Sequence, residues 1–168
     1  MIVESSKPEL PEVLFIDFDG VLTDNTVIVN ELGQESVRCN RGDGLAFDAI
    51  KKLSIPTFIV STEKNPVVSH RARKLKVNCL QGQSNKADAI ASIMSEQGFN
   101  PMRACYIGND INDFNAMRLC GCRVAPADSH QAILGIATIR LATYGGKGVM
   151  RELLEQHFNL NLIEILYP

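Results

Sequence analysis

The sequence lacks several features that would place it in a special class of proteins. None of its apolar runs, such as Val13 to Ile16, approaches the roughly 20 residues that a membrane-spanning helix needs. The first 13 residues lack the basic start and the long apolar stretch of a secretory signal. A formal net charge of -2 provides no general attraction for nucleic acid. These absences predict a cytoplasmic protein with no membrane and no nucleic-acid partner.

The cysteines give no sign of a disulfide framework or a zinc site. There are five of them, an odd number, and none forms a C-x-x-C pair. We therefore expect reduced thiols that pack in the interior. The sequence also has no internal repeat and no linker, and its 45% hydrophobic and 21% charged residues are ordinary for a globular protein. One domain over residues 1–168 is expected.

Short apolar runs alternate with segments of helical period, which is typical of β-α units around a parallel sheet. The predicted strands are Val13–Asp17, Thr57–Ser61, Cys79–Leu80, Ala104–Ile107, Cys122–Val124 and Ile139–Leu141. The predicted helices are Gly44–Leu53, Pro66–Leu75, Asn85–Gln97 and Asn112–Leu119. The pattern predicts an α/β fold: a Rossmann-like three-layer α/β/α sandwich with a parallel sheet.

One stretch interrupts this alternation. Residues 26–38 contain two extended pieces around a turn with Gly33, and they predict a small β-hairpin inserted after the first strand.

Acidic residues follow two of the predicted strands. Asp17 and Asp19 end the first strand, and Asn109, Asp110 and Asp113 follow the strand that ends at Ile107. An isolated D-x-D-G could simply cap the next element. Two such clusters at the carboxyl ends of parallel strands instead predict a shared crevice. Oxygen ligands without a nearby His or Cys favour a hard divalent ion such as Mg²⁺.

Two further strand ends complete a possible phosphate site. Ser61 supplies a hydroxyl after one strand, and Lys86 opens the helix after the next. A lysine taken alone is usually a solvated surface charge. In the order acid pair, hydroxyl, lysine and acid pair, it can instead hold phosphoryl oxygens while Mg²⁺ neutralises the remaining charge.

The sequence resembles the haloacid dehalogenase (HAD) superfamily of aspartate-nucleophile phosphatases over Val13 to about Glu152. It is most similar to the capless branch that contains octulosonate 8-phosphate phosphatases, nonulosonate 9-phosphate phosphatases and the C-terminal domains of some acylneuraminate cytidylyltransferases. The segments that carry this resemblance are DFDGVLTDN, QGQSNK, YIGNDIND and GGKGVMRE. The resemblance implies a HAD-like fold with a hairpin insertion and no cap domain.

The resemblance also implies residue functions. Asp17 would attack phosphorus, and Asp19 would protonate the leaving alcohol and then activate water. Ser61 and Lys86 would hold the phosphoryl oxygens. The implied Mg²⁺ ligands are Asp17, Asp19 through its carbonyl, Asn109 and Asp110, with Asp113 in support. The family often has aspartate at the position of Asn109, and an uncharged amide predicts weaker metal binding.

For the substrate, the resemblance implies that Glu63, Arg71 and Lys74 bind a sugar acid. Glu63 and Lys74 are eleven positions apart, close to three helical turns, which predicts a shared helix face. A solvated basic helix face is the alternative. Lys147, in a glycine-rich stretch, would contact a sugar carboxylate or belong to a loop before the final helix. Arg41 matches a family segment only in part.

The leading hypothesis is a Mg²⁺-dependent phosphatase for a phosphorylated nonulosonic or octulosonic acid. The resemblance implies a homotetramer in which the hairpin contacts a neighbour and closes the site, with Val27, Ile28 and Val29 as apolar surface. The alternative is a non-catalytic oligomerisation module related to the C-terminal domain of acylneuraminate cytidylyltransferase.

Overall fold

A computed structural model of the chain describes residues 9–168. Residues 1–8, which belong to the predicted domain and to the segment compared with a secretory signal, lie outside the described part. The strands are β1 (Val13–Ile16), β2 (Ile28–Val29), β3 (Glu35–Ser36), β4 (Thr57–Val60), β5 (Asn78–Leu80), β6 (Ala104–Ile107), β7 (Cys122–Ala125) and β8 (Ile139–Arg140). The helices are α1 (Arg41–Lys52), α2 (Val67–Leu75), α3 (Lys86–Gln97), α4 (Phe114–Leu119), α5 (Gln131–Ile136), α6 (Val149–Glu152) and α7 (Leu162–Leu166). Two 3₁₀ turns, Pro101–Arg103 and Ile111–Asp113, and one π turn, Leu153–His157, complete the elements.

All the strands except the hairpin pair β2 and β3 form one parallel sheet of six strands. Their order is β5-β4-β1-β6-β7-β8. The chain builds outward from β1 to β4 and β5, then returns through α3 to β6 on the other side of β1. The direction of winding therefore reverses between β1 and β6, which is where open α/β sheets bind ligands. This confirms the predicted parallel α/β sandwich and places its crevice.

Both faces of the sheet are covered by helices. The side chains of β1 alternate, with Leu14 and Ile16 packed in one core cluster and Val13 and Phe15 in the other. The first cluster contains residues of α1, α2, α6 and α7, and the second contains residues of α3, α4 and α5. Because β1 is buried on both sides, it is a continuous apolar run that ends abruptly where the acids begin.

Most predicted elements are confirmed with small shifts at their ends. The first helix starts at Arg41 instead of Gly44, because the Asn40 side chain caps it by accepting the Gly42 N–H at 2.7 Å. In the same way Asn85 caps α3. Among residues 9–168, the structure also contains α5 and α7, which the sequence analysis does not predict. Both are short, and α5 contains Gly135.

The hairpin is confirmed as an antiparallel pair of β2 and β3. Its turn has Gly33 at φ +74°, a left-handed conformation that suits glycine. No helix among residues 9–168 is long and apolar enough to cross a bilayer.

Candidate active site

The carboxyl ends of β1 and β6 lie side by side. Ile16 pairs with Ile107 in register, and the Asp17 N–H donates to the Ile107 carbonyl at 2.9 Å. The two acidic segments therefore leave the sheet at neighbouring points, as the sequence predicts. We call Asp17, Asp19, Lys86, Asn109 and Asp113, which these ends and the start of α3 bring together, the acidic rim.

A buried lysine joins the two acidic segments. The Lys86 ammonium lies 2.7 Å from Asp17 Oδ1 and 2.7 Å from Asp113 Oδ1. The lysine is only 3% exposed, so these are ion pairs inside the protein and not at its surface. The alternative reading of Lys86 as a solvated charge is wrong. Asp17 Oδ1 also accepts the Phe18 N–H at 2.7 Å, which fixes the orientation of the carboxylate.

Asp113 has a hydrogen-bond donor on every side. Its Oδ1 accepts from Lys86 and from the Tyr106 hydroxyl at 2.8 Å. Its Oδ2 accepts the Asn109 N–H at 2.9 Å and the Asp110 N–H at 3.3 Å. These four donors compensate a fully buried carboxylate. Asp113 thereby holds both the lysine and the loop that carries Asn109.

Burial and charge shift the pKa values of these groups. Burial raises the pKa of Asp17, and the negative charge of Asp113 raises it further, while Lys86 opposes both effects. Burial alone would lower the pKa of Lys86, but the two carboxylates outweigh it and raise that pKa. Lys86 therefore stays protonated at neutral pH and keeps the acidic rim partly neutralised.

The Asn109 side chain points at the two aspartates of β1. One end of its amide lies 2.8 Å from the Asp19 carbonyl oxygen and 3.1 Å from Asp17 Oδ2, and hydrogen bonding favours the orientation in which the NH₂ group donates to both. In the opposite orientation the amide oxygen would be a third acceptor next to these two oxygens. Gly20, at φ +82°, makes room for this arrangement, because a Cβ there would overlap the Asn109 amide.

With the amide oxygen turned towards Asp17 and Asp19, the three oxygens would fit a hard divalent cation. Cis ligands of an octahedral Mg²⁺ are about 2.9 Å apart, which follows from metal–oxygen distances near 2.1 Å. Among residues 9–168 no group of three His, Cys, Asp or Glu side chains is placed so that it could hold a metal ion. The converging set has a different composition: one carboxylate, one amide and one backbone carbonyl.

Asp110, another predicted ligand, has a different environment. Its side chain is exposed and accepts the Ile111 N–H at 2.7 Å, which caps the 3₁₀ turn Ile111–Asp113. The structure therefore directs Asn109, and not Asp110, towards Asp17 and Asp19. A contribution of Asp110 to metal binding stays a prediction.

The Asp19 carboxylate faces a cleft beside the hairpin. Its Oδ1 accepts from the Thr23 hydroxyl at 3.3 Å. Burial raises the pKa of Asp19, the bond from Thr23 lowers it and the nearby Glu63 raises it. The cleft has a volume of about 210 Å³ and is lined by Asp19, Asn25, Thr26, Val27, Glu35, Val37, Glu63 and Val67.

Ser61 and Glu63 follow β4 on the same edge of the sheet. Ser61 is buried, and its hydroxyl oxygen accepts the Glu63 N–H at 3.1 Å. The Glu63 carboxylate accepts the N–H groups of Lys64 and Asn65 at 2.6 and 2.8 Å. Glu63 therefore has a fixed position next to the cleft of Asp19.

Arg71 and Lys74 lie elsewhere. They line a second cleft of about 310 Å³ between α1 and α2, together with Arg41. Arg71 donates to the Asn40 carbonyl at 2.9 Å. The prediction that Glu63 and Lys74 share a helix face is wrong, because α2 begins at Val67 and Glu63 belongs to the preceding loop.

Lys147 projects from a firmly held glycine loop. The Gly145 N–H donates to Asp128 at 2.9 Å, and the Gly146 N–H donates to the Val21 carbonyl at 2.9 Å. A Cβ on Gly145 would overlap the Gly20 carbonyl, so the loop packs directly on the chain that leaves β1. The Lys147 residue is exposed to solvent in this loop, which precedes α6.

Tyr106 is a site residue that the sequence does not predict. A tyrosine in a strand that is otherwise apolar and buried must find a partner for its hydroxyl, which could have directed attention to Asp113. The need for glycine at position 20 depends on the approach of Asn109 from another strand, and no local pattern reports that.

Known proteins share this fold. A comparison with protein-family models finds no match. The chain is 30% identical to the Escherichia coli 3-deoxy-D-manno-octulosonate 8-phosphate phosphatase KdsC over 151 residues, which covers 89% of this chain and 80% of that enzyme. A crystal structure from Streptomyces avermitilis, assigned to the HAD hydrolases, is 40% identical at a TM-score of 0.84, with 89% of each chain covered.

A third comparison concerns a structure with bound ligands. The 3-deoxy-D-manno-octulosonate 8-phosphate phosphatase of Moraxella catarrhalis, in complex with magnesium, phosphate and KDO, is 26% identical at a TM-score of 0.83. The match covers 92% of this chain and 87% of that one. Together with the sheet order and the acidic rim, these findings show that the chain belongs to the HAD superfamily, among the phosphomonoester hydrolases that include the KdsC enzymes.

Proposed function

We propose that this protein is a Mg²⁺-dependent phosphatase that hydrolyses a phosphorylated sugar acid, a nonulosonate 9-phosphate or an octulosonate 8-phosphate. The observation that carries the proposal is the acidic rim, in which Lys86 pairs with Asp17 and Asp113 while the Asn109 amide lies against Asp17 Oδ2 and the Asp19 carbonyl. The relatives named KdsC and the Moraxella catarrhalis complex support the metal and the substrate class.

Asp17 is the proposed nucleophile. Its carboxylate is held by the Phe18 N–H and by Lys86, so it is oriented before the substrate arrives. Attack on phosphorus forms an aspartyl-phosphate and breaks the bond to the sugar oxygen. Lys86 stays protonated, and its ammonium group is proposed to hold a phosphoryl oxygen next to the Asp17 carboxylate. Ser61, on the neighbouring strand end, is proposed to bind a phosphoryl oxygen.

Asp19 is the proposed acid and base. Protonated, it gives a proton to the departing sugar oxygen; ionised, it then takes a proton from the water that attacks the aspartyl-phosphate. Its pKa, raised by burial, suits an acid that must hold a proton nearer to neutral pH. The bond from Thr23 fixes its position above the cleft.

The oxygens of Asp17, Asp19 and Asn109 would hold the metal, with Asp113 fixing the loop of Asn109 and Asp110 as a further candidate. A bound Mg²⁺ would lower the negative charge around the phosphoryl group. For the sugar, Glu63 can accept hydrogen bonds from hydroxyls in the cleft of Asp19. Carboxylate recognition by Arg71, Lys74 and Lys147 is proposed from the resemblance alone, as is the homotetramer. The cytoplasmic location is proposed from the sequence features described above.

The alternative function, a non-catalytic oligomerisation module, is disfavoured by the same residues. A scaffold has no need for a lysine buried between two carboxylates, because apolar residues can stabilise a core equally well. The intact pair of Asp17 and Asp19 also supports catalysis.

The test measures phosphate release from an aryl phosphate, an octulosonate 8-phosphate and a nonulosonate 9-phosphate, each with and without Mg²⁺. We expect metal-dependent turnover, with one sugar acid preferred over the aryl phosphate by a factor on the order of 10² in kcat/KM. No release from any substrate would support the scaffold. Equal and poor turnover of both sugar acids would reject the substrate class.

Two variants sharpen the substrate test. Glu63→Gln and Lys74→Met should raise KM for the preferred sugar and leave aryl phosphate turnover nearly unchanged. An equal loss with both substrates would mean that these side chains only support the structure.

A further inference from the structure

The Asn109 amide has two ways to satisfy its surroundings. With its oxygen towards Asp19 O and Asp17 Oδ2, at 2.8 and 3.1 Å, three acceptors meet and need a cation. With the amide turned by 180°, its NH₂ group lies at the same two distances and donates to both oxygens. Both distances are within the ordinary range for such hydrogen bonds.

This turn requires no repacking. The amide nitrogen and oxygen are nearly equal in size, so the rotated side chain fills the same volume. Asn109 is 6% exposed and lies against Gly20, where even a Cβ would overlap it. A side chain that fits this tightly can exchange its two ends but cannot swing away from the aspartates.

An aspartate at this position could not do the same. Its two oxygens are both acceptors, so every orientation would place a third buried acceptor against Asp17 and Asp19. Only a cation or a proton would then relieve the repulsion. The amide therefore differs from a carboxylate in what it does without a metal, and not only in its affinity for one.

We propose that Asn109 is a two-state ligand. Without a divalent cation its NH₂ group donates to Asp17 Oδ2 and the Asp19 carbonyl; with the cation it turns, and its oxygen becomes a ligand. The second state rests on the proposed metal-dependent function. The consequence is a protein that stays folded and ordered at the acidic rim when the cation is low, at the cost of weaker binding.

The matched test compares Asn109→Asp with Asn112→Asp. Asn112 is exposed in the same loop, so its variant adds the same charge without changing the converging oxygens. At pH 8 with a chelator, we expect Asn109→Asp to melt roughly 5–10 °C below the wild type, because it buries an unpaired charge. Asn112→Asp should stay within roughly 2 °C.

Adding Mg²⁺ should remove this difference in melting temperature. We expect Asn109→Asp to gain the lost melting temperature and to bind Mg²⁺ roughly tenfold or more tightly in calorimetry, since a ligand charge has been added. Equal melting temperatures of wild type and Asn109→Asp without metal would overturn the proposal.

A measurement on the wild type avoids dependence on a variant that folds poorly. In ¹⁵N-labelled protein, the side-chain NH₂ signals missing from the Asn109→Asp spectrum identify this amide. We expect slow solvent exchange without Mg²⁺, and a large shift with faster exchange when Mg²⁺ binds. Signals that do not respond while calorimetry reports binding would contradict a turning amide.

The outcomes separate this inference from the proposed function. Metal-dependent phosphate release by the wild type, with no difference in metal-free stability between the variants, would reject the two-state ligand and keep the phosphatase. A protected amide in a protein that binds no Mg²⁺ and releases no phosphate would reject both, leaving a fixed hydrogen bond.

Discussion

The acidic rim and the hairpin of residues 26–38, which follows Asp17 and Asp19 in the chain, are opposite in character. In the rim, Asp17, Lys86 and Asp113 are almost fully buried, and each is bonded to the others or to backbone N–H groups. In the hairpin, whose strands have two residues each, Ile28 of β2 is 62% exposed and Leu32 of the turn is 77% exposed. One region is complete within a single chain, whereas the other presents apolar surface that residues 9–168 leave exposed.

In the proposed homotetramer, the hairpin is the region that we expect to depend on a neighbouring copy. The chemistry proposed for the rim uses groups from β1, β6 and α3 of one chain. The cleft of Asp19, by contrast, has Val27 and Glu35 of the hairpin in its wall. We therefore expect changes in the rim to act on stability and chemistry, and changes in the hairpin to act on assembly and substrate access.

The largest expected effect comes from removing the shared cation of the rim. Lys86→Met leaves two buried carboxylates without their ion pair, and should lower the free energy of unfolding at pH 8 by about 3–5 kcal/mol. Urea unfolding measures this. Lys51→Met, at an exposed position of α1, is the control and should change stability by less than about 0.5 kcal/mol.

A graded variant tests the same network. Tyr106→Phe removes one of four donors to Asp113 and should cost about 1–2 kcal/mol. If Lys86→Met costs no more than Tyr106→Phe, the rim is not held together by its lysine, and the contrast with the hairpin loses its basis.

Asp43 provides a buried acid that is less well bonded than those of the rim. Its Oδ1 accepts the Met150 N–H at 2.9 Å, but its Oδ2 has no partner. Burial raises the pKa of Asp43 to about 6, although backbone N–H groups and nearby arginines oppose the shift. The folded protein therefore binds this proton more tightly than the unfolded chain does.

The sign of the pH effect follows from that. Between about pH 4 and pH 6 the folded state carries more protons at Asp43, so its contribution to stability falls as pH rises, by roughly 3 kcal/mol in total. Asp43→Asn should remove this dependence, seen as a stability difference from wild type that grows from pH 4 to pH 6. Asp48→Asn, at an exposed position of the same helix, is the control and should leave this pH dependence unchanged. Parallel curves of stability against pH for Asp43→Asn and the wild type would show that the pKa of Asp43 is not raised.

The smallest effect on folding is expected in the hairpin. Replacing Ile28 and Leu32 by Ser should change the free energy of unfolding of the chain by no more than about 0.5 kcal/mol per site, because both are exposed. If the hairpin contacts a neighbour in the predicted homotetramer, the same variant should lower the mass measured by light scattering. Glu31→Ser is a control in the same turn. An unchanged mass would place the contact elsewhere.

Sequence alone predicts the sheet and the residues of the rim because both depend on strand ends. Val13–Ile16 and Ala104–Ile107 are apolar runs that stop at acids, and parallel strands bring their carboxyl ends to one edge. The hairpin can also be predicted from local sequence, because its turn contains Gly33 between two extended pieces.

What the sequence could not show depends on contacts between distant segments. Glu63 and Lys74 fit a helical spacing, but α2 begins only at Val67, after the loop that Glu63 itself stabilises. The choice between Asn109 and Asp110 depends on which side chain faces Asp19 after the chain leaves β6, and adjacent residues point in different directions. The bond from Tyr106 to Asp113 likewise requires the folded strand.

The most direct test of the account is whether Asp17 becomes phosphorylated next to the cation site. Acid quenching during turnover with Mg²⁺, followed by borohydride reduction and peptide mass spectrometry, converts an aspartyl-phosphate into a residue of distinct mass. We predict this change at position 17, with Asp17→Asn showing neither the change nor phosphate release above background. Modification of another residue, or full turnover by Asp17→Asn, would contradict the account.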